Sequence, residues 1–244
     1  MESTYGDAIH KHTSDEIRAE LLKIIERARK DGGHILIPAF AIGRTQTIIN
    51  HLDHLVESGQ LEDLPVALDS PMGLRVTSKY ETFKTLFNQE SLDKISRGDD
   101  PLDFDGLYAV RKTRDSRKLR DLDKTMLIIA GSGMCTGGRI VDHLKELLPY
   151  SETNVLFVGY LAHGTLGRQI IEAAAKGEEG PSETVKIHGN DIPVRAGVDI
   201  LHGLSAHADQ KELAAWLDAV PNVQKVVLHH GDEDAQKAFA AYYK

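Results

Sequence analysis

The chain has 244 residues, of which 41% are hydrophobic and 27% charged, as expected for a soluble globular protein with a sizeable core. The sequence contains neither an apolar run near the ~20 residues that span a membrane nor a signal peptide. Cys135 is the only cysteine, which excludes disulfides within the chain and favours a cytoplasmic protein. The net charge of -8 argues against coating of nucleic acid by bulk electrostatics but permits a local cationic groove.

Helices and short apolar strands alternate along the first half of the chain. Thr13 and Glu16 fit a capping box, which predicts a helix that ends at Gly32. Apolar spacing then predicts strands at 34–38 and 65–69, and helices over 48–56 and 76–87. The polar segment from 88 to 105 is predicted to be a loop.

The same alternation continues in the second half. Strands at 125–130 and 155–158 have no polar face, which is typical of strands buried on both sides. The pattern further predicts a helix over 166–175, hairpin-like strands within 185–201, a helix over 213–220, a strand at 226–228 and a helix over 235–243. Together these elements predict an α/β fold with a mostly parallel sheet flanked by helices.

A glycine-rich loop, residues 131–139, follows a predicted buried strand and opens a helix. Its small residues allow backbone N–H groups to approach an anion at the helix N-terminus. Ser132, Gly133 and Arg139 are therefore candidate phosphate-binding residues. A tight turn that uses glycine only for backbone geometry explains the same spacing equally well.

Two further loops carry histidines. His207 lies in a turn directly before a predicted helix, and Asp209 in the same turn is placed to cap that helix. His230 follows a predicted strand and precedes Gly231, which is a common way to present a metal-binding imidazole. Considered one at a time, both histidines also fit purely structural roles.

Residues 111–120 form a basic segment with six lysines and arginines in ten positions. Such a segment lines an RNA path or forms a solvated helix face, and the sequence leaves both interpretations open.

Several of these segments, taken together and in order, resemble the β-CASP branch of the metallo-β-lactamase superfamily, which includes zinc-dependent RNA-processing nucleases. The resemblance covers essentially the whole chain. It rests on residues 2–7 (ESTYGD), 38–44 (PAFAIGR), 69–73 (DSPMG), 131–139 (GSGMCTGGR), 159–160 (GY), 164–166 (GTL), 205–209 (SAHAD) and 230–232 (HGD).

The resemblance implies roles for three residues, and the position of Ser205 two residues before His207 indicates a fourth. Glu2 matches the family's motif A acid, His207 its motif B histidine, and His230 its motif C histidine, which is a zinc ligand. Ser205 is placed to donate a hydrogen bond to a phosphate oxygen. His229 should point away from the site if the strand pleat continues.

The resemblance also implies a domain plan. Residues 1–7 would end the first half of a metallo-β-lactamase αββα fold, residues 8–204 would form the β-CASP domain, and residues 205–244 would complete the lactamase fold. The family's main metal cluster, His-x-His-x-Asp-His, has no counterpart here, since His10 and His12 lack the following Asp-His pair. We therefore expect one ligand, His230, of a site that holds two zinc ions in the complete enzyme.

On this interpretation the chain alone is inactive, and the missing lactamase half is supplied in cis or in trans. The expected substrate is single-stranded RNA, and exposed apolar edges would favour a homodimer. Two alternatives stay open: a non-catalytic scaffold of an RNA-processing complex, and an unrelated α/β enzyme that acts on a phosphorylated small molecule.

Overall fold

The computed structural model describes residues 1–10, 12–122, 124–177 and 182–243. The chain separates into two compact units, one formed by Ser14–Leu204 and the other by Met1–Thr13 together with Ser205–Lys244. Within the described ranges, no helix is both long and apolar enough to cross a membrane. The domain boundaries expected from the resemblance stay a prediction. The two compact units are defined by contacts within the structure, whereas family domains are defined by sequence relationship.

The larger unit is a parallel sheet with helices. Its strands are β1 Ile35–Pro38, β2 Val66–Leu68, β3 Leu107–Ala109, β4 Leu127–Ala130, β5 Asn154–Phe157, β6 Thr184–Ile187, β7 Asn190–Pro193 and β8 Gly197–Ile200. Its helices are α1 Ser14–Asp31, α2 Arg44–Glu57, α3 Pro71–Thr82, α4 Gln89–Ser96, α5 Thr113–Lys118, α6 Arg139–Leu147 and α7 Leu166–Gly177. Six strands form one sheet in the order β3-β2-β4-β1-β5-β8, and every neighbouring pair is parallel.

The apolar strands form this sheet because both of their faces are covered. Ile35 and Ile37 of β1 belong to one buried cluster, whereas Leu36 between them belongs to the cluster on the opposite face. Strand β4 alternates in the same way: Leu127 and Ile129 belong to the first cluster, and Ile128 belongs to the second. The predicted α/β class with a parallel sheet is confirmed. The predicted hairpin is β6 paired with β7, while β8 joins the large sheet.

The smaller unit contains α8 Gln210–Asp218 and α9 Glu233–Tyr242. Leu213, Ala214, Leu217 and Phe239 form its core. Asp209 caps α8, as expected: its carboxylate accepts from the Glu212 N–H, and the Glu212 carboxylate accepts from the Asp209 N–H.

The predicted loop over 88–105 was wrong in part, because it contains α4. Asn88 caps this helix by accepting a hydrogen bond from the N–H of Ser91. The helix is short, and none of its residues is fully buried. A polar helix of two turns lacks the apolar periodicity by which longer helices are found.

The strand predicted at 226–228 was also wrong, since the structure has no strand there. The main bonding partner of this stretch is Met1, which donates to the Val227 carbonyl at 2.7 Å and accepts from the His229 N–H at 3.1 Å. Val226 and Val227 are exposed. An apolar triplet that has the composition of a strand becomes one only when a ladder partner runs along it.

Candidate functional site

The N-terminal segment alternates its side chains between two directions. Glu2 and Thr4 face the loop that carries His207, whereas Ser3 between them is fully buried. The Ser3 N–H donates to the His230 carbonyl at 2.9 Å, which fixes this segment beside the loop that contains His230. An extended backbone therefore places the residues at positions 2 and 4 on one side.

His207 is held through its backbone. Its N–H donates to the Ser205 hydroxyl at 3.1 Å, and its carbonyl lies 2.9 Å from Nε2 of His10. The N–H of His10 in turn donates to the Asp209 carboxylate at 2.9 Å. The turn at 205–209 is thus tied both to the α8 cap and to the N-terminal segment, so the imidazole of His207 projects from a fixed base.

The Thr4 hydroxyl lies between the two imidazoles. Its Oγ1 is 3.1 Å from Nδ1 of His230 and 3.5 Å from Nδ1 of His207. The hydroxyl also donates to the His230 carbonyl at 3.4 Å. The hydroxyl thus lies within hydrogen-bond distance of Nδ1 of His230, and the other ring nitrogen, Nε2, is the one left for a ligand.

Glu2 faces His207 as a carboxylate partner. Its Oε2 lies 3.5 Å from Nδ1 of His207 and accepts from the Thr4 N–H at 2.8 Å. Burial opposes ionisation of Glu2, but the hydrogen bonds from Thr4 and the charge of His207 outweigh it, so the pKa of Glu2 lies below its usual value. An ionised Glu2 is a hydrogen-bond acceptor placed beside Nδ1 of His207.

Gly231 is the residue that lets the His230 loop approach the N-terminal segment. Its φ is +156°, and a Cβ placed on it would lie 2.7 Å from the Ser3 carbonyl oxygen. His230 itself has a φ of +56°, in the left-handed region. A side chain at position 231 would therefore separate the Thr4 hydroxyl from His230.

These residues form a group with the donor chemistry of a zinc site. One ligand atom from each of Glu2, His207 and His230 lies within 4.8 Å of the others. Nitrogen and carboxylate donors suit Zn²⁺, which takes four ligands or three plus water. The group fits part of a zinc site. It is not a complete site for two zinc ions, because two ions need more donors than these three.

A second acidic group in the described part of the chain, Asp53 with Glu57 and Asp99, already contains a cation. The ammonium of Lys94 lies within 4 Å of all three carboxylates. It is therefore an ion-pair network and does not resemble the histidine-containing group.

A second carboxylate–histidine pair lies in the larger unit, directly after β2. Oδ2 of Asp69 lies 2.7 Å from Nε2 of His143 and accepts from the Ser116 hydroxyl at 2.6 Å, while Oδ1 accepts from Arg139 at 2.5 Å. Asp69 and His143 are fully buried. Burial would raise the pKa of Asp69, but hydrogen bonds from His143, Ser116 and Arg139 reverse this and lower it.

Arg139, one of the candidate phosphate-binding residues, bonds to this pair. The guanidinium of Arg139 is occupied by Asp69 and by the carbonyls of Val110 and Arg111. The Ser132 hydroxyl accepts from the Thr136 N–H at 3.0 Å. Gly133 lies against the ring of Phe40. Phosphate contact by Ser132, Gly133 and Arg139 stays a prediction, and for Arg139 it would compete with three existing bonds.

The sequence motifs point to Glu2, His207 and His230, which the structure brings together, but not to two residues that bond to them. Thr4 is separated from Glu2 by two positions, so the period of an extended segment would have found it. His10 was considered only as a metal ligand, whereas its ring bonds to a backbone carbonyl. No spacing in the sequence pointed to that contact.

Two family models match the chain. The Beta-Casp domain matches residues 45–170, just over half of the chain, and the Zn-dependent metallo-hydrolase RNA specificity domain matches residues 191–244.

Curated relatives match nearly all of the chain. Ribonuclease TTHA0252 of Thermus thermophilus is 39% identical over 233 residues, which cover 96% of the chain and 51% of the relative. Transcription termination factor FttA of Methanocaldococcus jannaschii is 33% identical over 98% of the chain and 38% of the relative. The RNase J-like protein of the same organism is 29% identical over 98% of the chain and 53% of the relative. The chain thus spans about half, or less, of the length of these relatives.

Proposed function

Because this chain belongs to the β-CASP branch of the metallo-β-lactamase superfamily of RNA-processing nucleases, we propose that it is the RNA-binding part of a zinc-dependent ribonuclease. In this proposal the chain also contributes a proton donor and one zinc ligand to the active site. The observation that carries the proposal is the convergence of Glu2, Thr4, His207 and His230. A protein that served only as a scaffold would have no need for a carboxylate and two imidazoles in this arrangement.

His207 acts as the proton donor in the proposed reaction. Hydrolysis of a phosphodiester leaves an alkoxide oxygen that must be protonated. With Glu2 beside Nδ1, the other ring nitrogen, Nε2, is the proposed donor of this proton. The side chain of His207 is 41% exposed, so a phosphate can reach it.

His230 acts as a zinc ligand through Nε2, because Thr4 engages its Nδ1. Bound zinc would supply an activated water and neutralise charge on the phosphate. The group formed by Glu2, His207 and His230 holds too few donors for two ions. We propose that the other ligands come from another segment or chain, and that this chain alone does not cleave RNA.

Ser205 and the loop containing Ser132 and Gly133 are proposed to contact the RNA backbone. The Ser205 oxygen accepts from the His207 N–H, so its own proton can be donated to a phosphate oxygen. Arg139 is proposed to act by positioning, since its bonds to Asp69, Val110 and Arg111 hold the end of the loop next to the start of the basic segment.

The test combines zinc content after dialysis with binding and cleavage of a labelled single-stranded RNA by the 244-residue chain. We expect well under one zinc per chain, no cleavage, and RNA binding that weakens as salt rises. Nearly two zinc ions with cleavage would show that this chain holds a complete site, and absence of RNA binding would contradict the proposal as a whole.

A charge-reversal variant examines the basic segment in the same assay. Arg117→Glu with Lys118→Glu changes two exposed residues of α5. If the segment lines the RNA path, the double variant binds RNA more weakly and with a flatter salt dependence. Unchanged binding would identify the segment as a solvated helix face.

A further inference from the structure

Phe40 is an exposed aromatic residue at the carboxyl end of a buried strand. All of β1 and Ala39 after it are buried, yet 42% of Phe40 is exposed. The Ala39 N–H still donates to the Ala130 carbonyl, so the strand keeps its register up to this residue. The position of the Phe40 ring at the surface is therefore fixed by the backbone of the sheet.

The neighbouring loop holds the ring of Phe40. A Cβ on Gly133 would lie 2.7 Å from Cδ2 and 2.9 Å from Cε2 of the ring, so glycine is needed for this close approach. The Phe40 carbonyl accepts from both the N–H and the hydroxyl of Thr45. With one part against Gly133 and its backbone bonded to α2, the ring has little conformational freedom left to lose when a ligand packs on it.

The ends of three adjacent strands meet beside this ring. A Cβ on Gly131, after β4, would lie 3.6 Å from both the Ala39 carbonyl after β1 and the Ser70 hydroxyl after β2. Ile42, in the loop after β1, and Met72, in the first turn of α3, are also exposed at this edge. The carboxyl edge of a parallel sheet is the usual place for a ligand in an α/β fold.

Positive charge lies at the same edge of the sheet. Arg139 donates to the carbonyls of Val110 and Arg111, which fixes the start of the basic segment directly after β3. Arg111 and Lys112 are exposed, and among the described residues neither has a carboxylate within ion-pair distance. Three strand spacings of about 4.8 Å separate β1 from β3, so these cations start on the order of 14 Å from Phe40.

We propose that the exposed face of Phe40 is a stacking surface for a base of single-stranded RNA, with Arg111 and Lys112 binding the phosphates of the same strand. The proposal rests on the proposed function. An aromatic ring beside cations is the combination by which proteins hold unpaired nucleic acid, because every base has a π-face and every linkage a negative charge. An apolar protein partner would match Phe40, Ile42 and Met72 but would leave the unpaired cations without counter-charges.

The test measures affinity for a fluorescein-labelled 12-residue oligouridylate by anisotropy at fixed salt. Phe40→Ala should weaken binding on the order of tenfold, whereas Phe40→Trp, which keeps an aromatic face, should stay within about twofold of the wild type. Phe83→Ala is the matched control, because Phe83 is an exposed phenylalanine of the same unit at the end of α3. Phe40→Leu keeps the apolar volume but has no aromatic face. If Phe40→Ala does not fold, the affinity of Phe40→Leu for the oligouridylate, which should also be weakened, tests the proposal instead.

An abasic ribose-phosphate oligomer of the same length separates stacking from charge. The wild type should bind it more weakly than oligouridylate, and Phe40→Ala should cause no further loss. If the wild type binds oligouridylate and Phe40→Ala or Phe40→Leu binds it equally well, the stacking surface is excluded while the proposed function stands, and the patch belongs to a protein contact. If the wild type binds no RNA, both proposals fail.

Discussion

Two of the carboxylate–histidine pairs among the described residues differ in how completely they are bonded. Asp69 and His143 lie 2.7 Å apart with side chains that are 0% exposed, and the carboxylate also accepts from Ser116 and Arg139. Glu2 and His207 lie 3.5 Å apart with side chains that are 28% and 41% exposed. The carboxylate of the first pair is bonded to three side chains inside the fold, whereas the second pair is open to solvent and retains capacity for a ligand.

Residue type alone therefore does not separate the two kinds of pair. The buried Asp69 carboxylate organises its surroundings, because Arg139, which it binds, also donates to the carbonyls of Val110 and Arg111 where the basic segment begins. The open pair of Glu2 and His207 does little for stability because solvent screens it. We therefore expect substitutions at the two pairs to differ widely in their effect on the free energy of unfolding.

Removing the saturated carboxylate should be strongly destabilising. Asp69→Ala leaves the guanidinium of Arg139 and the ring of His143 without their buried partner, which should lower the free energy of unfolding by about 3–5 kcal/mol. Urea denaturation measures this loss. Asp142→Ala, an exposed carboxylate on α6, should change stability by less than about 0.5 kcal/mol. A small effect of Asp69→Ala would remove the contrast between the pairs.

His51 on α2 is a buried histidine without a carboxylate, and it should make stability depend on pH. Burial, with smaller contributions from nearby positive groups, lowers the pKa of His51 from 6.5 to about 4. The unfolded chain therefore binds this proton first. Stability should be full above pH 6.5 and fall by about 3 kcal/mol as the pH drops to 4.

The change His51→Gln should flatten the pH dependence of unfolding between pH 6.5 and 4, measured by urea denaturation at several pH values. The exposed His188→Gln serves as the control and should leave the slope unchanged. An equal slope in wild type and His51→Gln would show that the proton is taken up elsewhere.

The cap of α8 should stabilise the turn that carries His207. Asp209→Ala removes the acceptor for the N–H groups of Glu212 and His10, and should cost about 1 kcal/mol. Thermal or urea unfolding measures the loss. Asp234→Ala, in the first turn of α9, is an acidic control that should have a smaller effect. Equal effects would show that the cap does not support the site.

Glu2→Gln should have the smallest effect on stability. The side chain is part-exposed and its contact with His207 is long, so we expect a change within about 0.5 kcal/mol. Glu20→Gln on the exposed side of α1 gives the matched baseline in the same urea experiment. A loss as large as that of Asp69→Ala would mean that the two pairs have the same role.

The parallel sheet could be predicted because its strands are apolar on both faces and its helices are amphipathic. The strand predicted at 226–228 was wrong because Val226 and Val227 are exposed, and the backbone bonds beside them go to Met1 and not to a strand of the sheet. Helix α4 was missed because its stability comes from a cap and polar contacts. Local composition therefore predicted the elements that pack in the core and failed for those that depend on other segments.

The same rule applies to the candidate site. Glu2, His207 and His230 were found through motifs, whereas Thr4 and His10 act through bonds that join residues about 200 positions apart. Asp69 was noticed only as part of a motif. Its role depends on Ser116 of α5 and on Arg139 and His143 of α6, which the fold brings to it from 47 to 74 positions away.

The alternation of Glu2, Ser3 and Thr4 means that the site is sensitive to sliding of the N-terminal segment. A slip of one residue against 227–230 would point Ser3 towards the histidines and turn Glu2 and Thr4 away. The ring of His207 would then lose its carboxylate and that of His230 its hydroxyl, although every amino acid was still present. The close fit of Gly231 against the Ser3 carbonyl opposes such a slip. Gly231 thus helps to keep Glu2 and Thr4 facing the two histidines.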